Sequence, residues 1–151
     1  MRYTLALAAA LALAGCNSGP SLVGTWDVSG LKDMPSGAKT TMTFAAPDKM
    51  TMVVQSDLPI PSVKASMTAT INGTYALKGD ALTLKADSAI LKFDGLPAQM
   101  QALADQNAEQ GKQQMLDQIN KNPESKIAWE GTDKVTVSGS GQTMTMNRQK
   151  G

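Results

Sequence analysis

The sequence predicts a mainly β fold, an antiparallel meander of about eight strands closing into a barrel, with one inserted amphipathic α-helix. From Ser21 onward, short runs alternate apolar and polar residues, as half-buried strands do. Turn sequences such as Pro47-Asp48-Lys49 and Gly139-Ser140-Gly141 separate these runs. Residues 97–120 lack the alternation and repeat apolar residues at a helical spacing instead. These three observations place one domain over residues 21–151.

The first half of the domain contains four predicted strands, at residues 22–29, 39–46, 49–55 and 63–77, the last of them kinked at Gly73. Because successive side chains of a strand point to opposite faces, the apolar residues of each strand share one face. We expect those inward faces to supply the candidates for lining a cavity, namely Met42, Phe44, Met50, Met52, Val54, Met67 and Ile71.

The second half continues the meander and contains the helix. Strand segments are predicted at residues 81–86, 90–93, 126–130, 134–138 and 142–148. Pro97 suits the first turn of the helix, and Asn122-Pro123 predicts its end. The main interpretation is a helix that covers one end or flank of the sheet; a mobile lid over a cavity and a partner-binding helix are the alternatives.

The amino terminus predicts export and a lipid anchor. Arg2 precedes an uncharged Leu- and Ala-rich stretch that is too short to span a bilayer, as in a secretion signal. The stretch ends in Leu13-Ala14-Gly15-Cys16, which resembles the bacterial lipoprotein box. The resemblance implies a signal peptide over residues 1–15, cleavage before Cys16, and acylation of Cys16, which anchors the protein in the membrane.

The anchor has three further consequences. Cys16 is the only cysteine, so the acylated chain would contain neither a free thiol nor a disulfide. The tether, residues 16–20, spans at most about 17 Å. Asn17 follows the acylated residue, and by resemblance to the enterobacterial sorting rule it favours the outer over the inner membrane of the bacterial envelope.

Composition argues against two broad classes of function. The formal net charge is +1 and no basic stripe is present, so we expect no nucleic-acid partner. Histidine is absent, and the carboxylates are scattered without a visible pairing, so nothing nominates a general base. Neither a phosphate-binding loop nor a serine-nucleophile motif occurs. We therefore expect a non-catalytic protein with no cofactor and no catalytic residue.

Several short motifs carry a family resemblance. Gly24-Thr25-Trp26 looks like the Gly-x-Trp opening of lipocalin-like (calycin-type) barrels, and the terminal hairpin ending in Arg148 is similar to that of small bacterial lipocalin-like lipoproteins. The resemblance implies that Trp26 closes one barrel end beneath Arg148, with Gly24 beside them. A guanidinium over an indole face adds about 0.5 to 2 kcal/mol, so this pair would be structural. The helix precedes the last three strands, whereas lipocalins usually place theirs after the barrel, and an open, curled sheet is the alternative.

Ten methionines are the most unusual feature of the composition. Met50-Thr51-Met52 and Met144-Thr145-Met146 each place two thioethers on one strand face, and thioethers favour Cu(I), so a periplasmic copper site is a minor alternative. Flexible, polarizable side chains for packing or cavity lining are the main interpretation, with no metal site. The resemblance implies binding of a small hydrophobic or amphipathic ligand in a barrel cavity. The rival is a solid-core module that contacts another envelope protein.

Overall fold

Eight antiparallel strands form one sheet that closes into a barrel. The computed structural model describes residues 19–32, 34 and 37–151. Each strand pairs with the next along the chain, and β8 pairs with β1. The strands are β1 (Gly24–Ser29), β2 (Lys39–Ala45), β3 (Lys49–Leu58), β4 (Ala65–Lys78), β5 (Ala81–Asp94), β6 (Glu124–Trp129), β7 (Lys134–Gly139) and β8 (Gln142–Arg148). The predicted eight-stranded barrel is confirmed. The open, curled sheet is excluded by the pairing of Trp26 with Arg148 and of Val28 with Met146.

The apolar faces of the strands point into the barrel, as the alternation predicts. In β2, Met42 and Phe44 are buried, while Thr43 between them is exposed. Thr40, Met42 and Phe44 of β2 lie opposite Val54, Met52 and Met50 of β3 in the register. Burial of these side chains, and of their counterparts on the other strands, supplies the stabilisation of a domain without a disulfide among its described residues.

Two long strands, β4 and β5, extend the sheet on one side. The sequence predicts two separate segments, 81–86 and 90–93, but they form a single strand, because a bulge absorbs the break in alternation between them. Gly73 pairs with Ala86 and Asn72 with Ser88, so Asp87 has no partner on β4. A Cβ at position 73 would collide with the carbonyl oxygen of Lys85, which explains the glycine at the predicted kink.

The helix lies beside the shortest strand pairing of the barrel, that between β5 and β6. Helix α1 (Ala98–Lys121) lies between β5 and β6 in the chain, as predicted, and packs along β5. Strands β5 and β6 pair only from Ala81 to Thr83. Beyond that point, the Asn120 side chain accepts a hydrogen bond from the Ala86 amide and donates one to the Ala86 carbonyl, both at 2.9 Å. Asn120 therefore takes the role of a neighbouring strand along the free edge of β5.

The two ends of the barrel follow from the strand directions. The amino-terminal segment, the carboxyl terminus and the turns β2–β3, β4–β5 and β6–β7 lie at one end, called the floor. The connections β1–β2, β3–β4, α1–β6 and β7–β8 lie at the other end, called the mouth. No helix among the described residues is long and apolar enough to cross a membrane. The predicted signal peptide and Cys16 lie outside the described residues.

Candidate functional site

The floor is closed by Trp26. Its side chain is fully buried, and its indole Nε1 donates a hydrogen bond to the carbonyl oxygen of Leu22 at 2.7 Å. The ring of Trp129 approaches it edge-on, with 6.1 Å between ring centroids. The Arg148 guanidinium lies over the Trp26 ring, 4.2 Å from its centroid. The structure therefore brings together the two side chains that the family resemblance pairs, in the geometry of a cation–π contact.

Arg148 also ties the incoming chain to the floor. Its guanidinium donates hydrogen bonds to the carbonyl oxygens of Ser21 and Val23, the latter at 2.7 Å, and lies 3.3 Å from a carboxylate oxygen of Asp133. Gly24 makes room for this arrangement, because a Cβ at that position would come within 2.6 Å of Arg148 Nη1. Its φ of +134° is a further reason for glycine there.

Two predicted cavity-lining residues, Phe44 and Met50, belong to the floor instead. Both are 1% exposed and lie in the packed core with Trp26. The Phe44 ring meets Tyr75 edge-on at a centroid distance of 4.9 Å. They face inward as the alternation predicts, but the register sets them opposite Gly24 and Gly73, at the floor end of their strands. This placement is a correction to the predicted lining.

Above the floor the barrel is hollow. A cavity of about 550 Å³ lies between the packed core and the mouth. Five of the predicted lining residues contribute to its wall: Met42, Met52, Val54, Met67 and Ile71. Val28, Leu84 and Val137 also line it, although they are not among the predicted lining residues. These residues lie on strands β1, β5 and β7. Because the sheet closes into a barrel, the inward faces of these strands meet the same cavity as those of β2 to β4.

Methionine is the most frequent residue type in this wall. Six of the ten methionines line the cavity, namely Met34, Met42, Met52, Met67, Met115 and Met144. The two Met-x-Met pairs are divided by depth: Met52 and Met144 reach the cavity, whereas Met50 and Met146 are buried in the core. Each pair thus presents one thioether to the cavity.

The carboxyl-terminal half of α1 forms part of the cavity wall. Met115, Gln118 and Ile119 line the cavity. The helix approaches β5 closely at Gly111, where a Cβ would lie 3.1 Å from Leu91 Cδ1. The apolar spacing of the helix predicts docking on a neighbouring surface, and this is what the structure contains. The role of Asn120 carries no sequence signal, because any polar residue near a helix end looks alike in sequence.

Polar groups gather toward the mouth. Thr40, Ser56, Gln118, Ser125, Ser140 and Gln142 contribute to the lining. Lys32 is the only charged residue among the described lining residues, and its Nζ donates a hydrogen bond to the Gly141 carbonyl at 3.3 Å. The cavity therefore has an apolar interior and a mouth where these polar side chains lie beside the apolar Leu31, Met34 and Pro123, which suits a molecule with an apolar body and a polar end.

Little in the described part of the chain suggests chemistry at this cavity. Among these residues, no three His, Cys, Asp or Glu side chains converge as a metal site would require. Among the described residues, the one acid with a shifted pKa is Glu130, on the barrel's outer surface at the floor, where hydrogen bonds from Lys134 and Thr136 lower its pKa. The arrangement offers an apolar cavity with polar groups near its mouth, which can hold a molecule.

Two comparisons, one with protein families and one with curated proteins, found no match for this chain. The interpretation of the cavity therefore depends on its own geometry.

Proposed function

We propose that this protein is a lipid-anchored bacterial envelope protein that binds a small hydrophobic or amphipathic molecule in its barrel cavity, without catalysis. The observation that carries the proposal is the cavity itself. Its volume of about 550 Å³ lies in the range of roughly 300 to 1,000 Å³ that is typical of small-molecule sites. The predicted lipoprotein box at Cys16 and the lipocalin-like motifs support the location and the mode of binding.

The composition of the wall supports a ligand of variable shape. Methionine has three rotatable bonds and a polarizable sulfur, so its side chain adapts to irregular apolar surfaces. Six such side chains surround one cavity, contributed by strands, the β1–β2 connection and α1. A site built this way would accept related molecules that differ in length or branching, and would discriminate among them weakly.

The two alternatives explain the cavity less well. A solid-core interaction module requires inward side chains that meet one another, and such interiors contain few voids larger than a water molecule. A Cu(I) site requires thioethers that converge on one ion, whereas these methionines surround about 550 Å³ and each Met-x-Met pair contributes only one member. The geometry therefore favours an organic molecule over a metal ion.

The binding proposal can be tested with a neutral apolar fluorophore, N-phenyl-1-naphthylamine, whose emission rises in apolar surroundings. Met67→Trp places a bulky ring in the cavity wall, and we expect it to weaken binding of the fluorophore at least fivefold. Met100→Trp is the matched control, because Met100 lies on α1 away from the cavity and is 39% exposed. Fluorescence titration, with circular dichroism as a check of folding, gives both affinities.

Two results would count against the proposal. One is a folded wild-type protein that leaves the fluorophore emission unchanged, and the other is equal weakening by the two tryptophan variants. Native mass spectrometry of protein purified gently from its own envelope then identifies what is bound. A lipid-like mass added to that of the denatured, acylated chain supports the proposal, a mass increment matching copper supports the metal site, and an accompanying polypeptide supports the interaction module.

The anchor needs its own test. We expect Cys16→Ala to release the protein from the membrane fraction, because no other cysteine can accept diacylglycerol. Fractionation of cells and incorporation of labelled palmitate measure the two effects. Labelled lipid attached to the Cys16→Ala protein would overturn the lipoprotein assignment while leaving the cavity argument intact.

A further inference from the structure

The amino-terminal segment leaves the barrel at its floor. Arg148 binds the carbonyl oxygens of Ser21 and Val23, and Leu22 between them is 2% exposed. Gly19 and Pro20 border a surface groove of about 400 Å³ together with Pro47, Tyr75 and Leu77. These last three residues belong to the floor turn β2–β3 and to the floor end of β4. The chain is therefore held at the floor from Ser21 onward, and Gly19 and Pro20 lie beside the floor.

The tether is too short to bring Cys16 to the mouth. Cys16 lies five residues before Ser21, and these five steps along the chain span about 18 Å at most when fully extended. Strand β3 runs from the floor at Lys49 to the mouth at Leu58. Its ten residues extend about 34 Å, or about 25 Å along the barrel axis at a usual strand tilt. An acyl chain on Cys16 must therefore enter the bilayer from the floor side.

We propose that anchoring through Cys16 turns the floor toward the membrane and leaves the cavity mouth facing the aqueous compartment, so that the ligand enters and leaves on the aqueous side. This inference rests on the proposed function and adds a direction to it. The floor offers no passage, because Trp26 and Arg148 close it. The donor of the ligand is then a molecule dispersed in the aqueous compartment, not a lipid lifted directly from the bilayer beneath.

The lining of the mouth is mixed. Lys32, Gln118, Asn122, Ser140 and Gln142 carry polar side chains, whereas Leu31, Met34 and Pro123 at the same end are apolar. The polar and charged members are compatible with an opening to water. The direction itself follows from the short tether and the closed floor.

Single cysteines make the orientation measurable, because acylation consumes the only native thiol and leaves an introduced one as the sole labelling site. Ser140→Cys marks the mouth, and Ala76→Cys marks the floor end of β4; both native residues are exposed. The full, lipidated protein carrying a bimane label at either position is placed in vesicles of phosphatidylethanolamine and phosphatidylglycerol. A nitroxide on a fraction of the lipid headgroups then quenches nearby labels, and vesicles without nitroxide are the control.

We expect the label at position 76 to be quenched at least twice as strongly as the label at position 140. Equal quenching, stronger quenching at position 140, or failure of the lipidated protein to associate with vesicles would each overturn the orientation. The same variants test the route of access. A polyethylene glycol maleimide at position 140 should slow binding of N-phenyl-1-naphthylamine at least threefold, whereas the same group at position 76 should not.

Failure of the proposed function has a different signature. If the detergent-solubilised protein does not bind N-phenyl-1-naphthylamine at all, the binding proposal falls, even when the quenching pattern is as expected. If the protein binds the fluorophore but position 140 is quenched more strongly, or a group at position 76 slows binding as much as one at position 140, the aqueous route is wrong and the binding proposal stands.

Discussion

The floor and the mouth of the barrel use the same residue types on the same strand faces for opposite purposes. Met50 and Met52 point inward from one strand, as do Met144 and Met146 from another, yet one member of each pair is sealed in the core and the other lines an open cavity. Two residues along a strand correspond to about 6.6 Å. Depth along the barrel axis, rather than the face of the strand, therefore decides whether an inward side chain packs or lines a cavity.

The largest expected difference between the two ends is in stability. Trp26→Ala removes a fully buried ring and its hydrogen bond to Leu22, so we expect it to lower the free energy of unfolding by about 3 to 5 kcal/mol. Met67→Ala enlarges a cavity that already exists, and we expect a loss of about 1 kcal/mol or less, since the side chain is only partly buried. Urea denaturation of both variants measures the difference.

Equal losses from these two variants would contradict the division of the barrel into a packed floor and a hollow mouth. An unchanged stability of Trp26→Ala would show that the floor does not depend on this ring. The slope of the unfolding free energy against urea serves as the control, because a change in that slope would indicate altered compactness instead of a lost contact.

Arg148→Lys tests the seal of the floor while preserving its charge. The shorter ammonium cannot reproduce the hydrogen bonds to Ser21 and Val23 together with the stacking on Trp26, so we expect a loss of about 1 to 3 kcal/mol. Limited proteolysis gives a local readout. We expect cleavage near residues 19–23 to accelerate in the variant, and equal cleavage rates would argue that Arg148 does not hold this segment.

The sequence predicts the fold more completely than the cavity lining, because sequence patterns report the faces and ends of strands but not depth along the barrel axis. Alternation reports which face of a strand is apolar, and turn residues report where strands end, so the eight strands and the helix are predictable. Neither pattern reports how deep a residue lies along the barrel axis. That depth depends on the register between neighbouring strands and on the pairing of β1 with β8. Phe44 and Met50 are therefore predicted at the cavity but lie below it, and Val28 and Leu84 are absent from the predicted lining.

Asn120→Ala tests the mouth side of the barrel, where the Asn120 side chain hydrogen-bonds the β5 backbone in place of a neighbouring strand. Removal of the amide leaves the Ala86 backbone without its partner, and we expect a local cost of about 1 kcal/mol. Amide hydrogen exchange should rise at Ala86 while the floor amides remain protected. Asn107→Ala is the matched control, because Asn107 bonds only to Leu103 of its own helix and is exposed. Faster exchange at Ala86 in the control as well would indicate general fraying of α1.

The smallest expected effect is the pH dependence at the β6–β7 turn of the floor. Hydrogen bonds from Lys134 and Thr136 lower the pKa of Glu130 below its ordinary value of 4.5. A carboxyl group with a lowered folded-state pKa stabilises the fold above its unfolded-state pKa, and that contribution disappears as the pH falls through the folded-state pKa. Glu130→Gln should therefore be slightly less stable than wild type at pH 7 and equal to it near pH 2. Because the pair is exposed, added salt should shrink the difference at pH 7. A difference that persisted at pH 2 would mean that Glu130 acts through packing instead of charge.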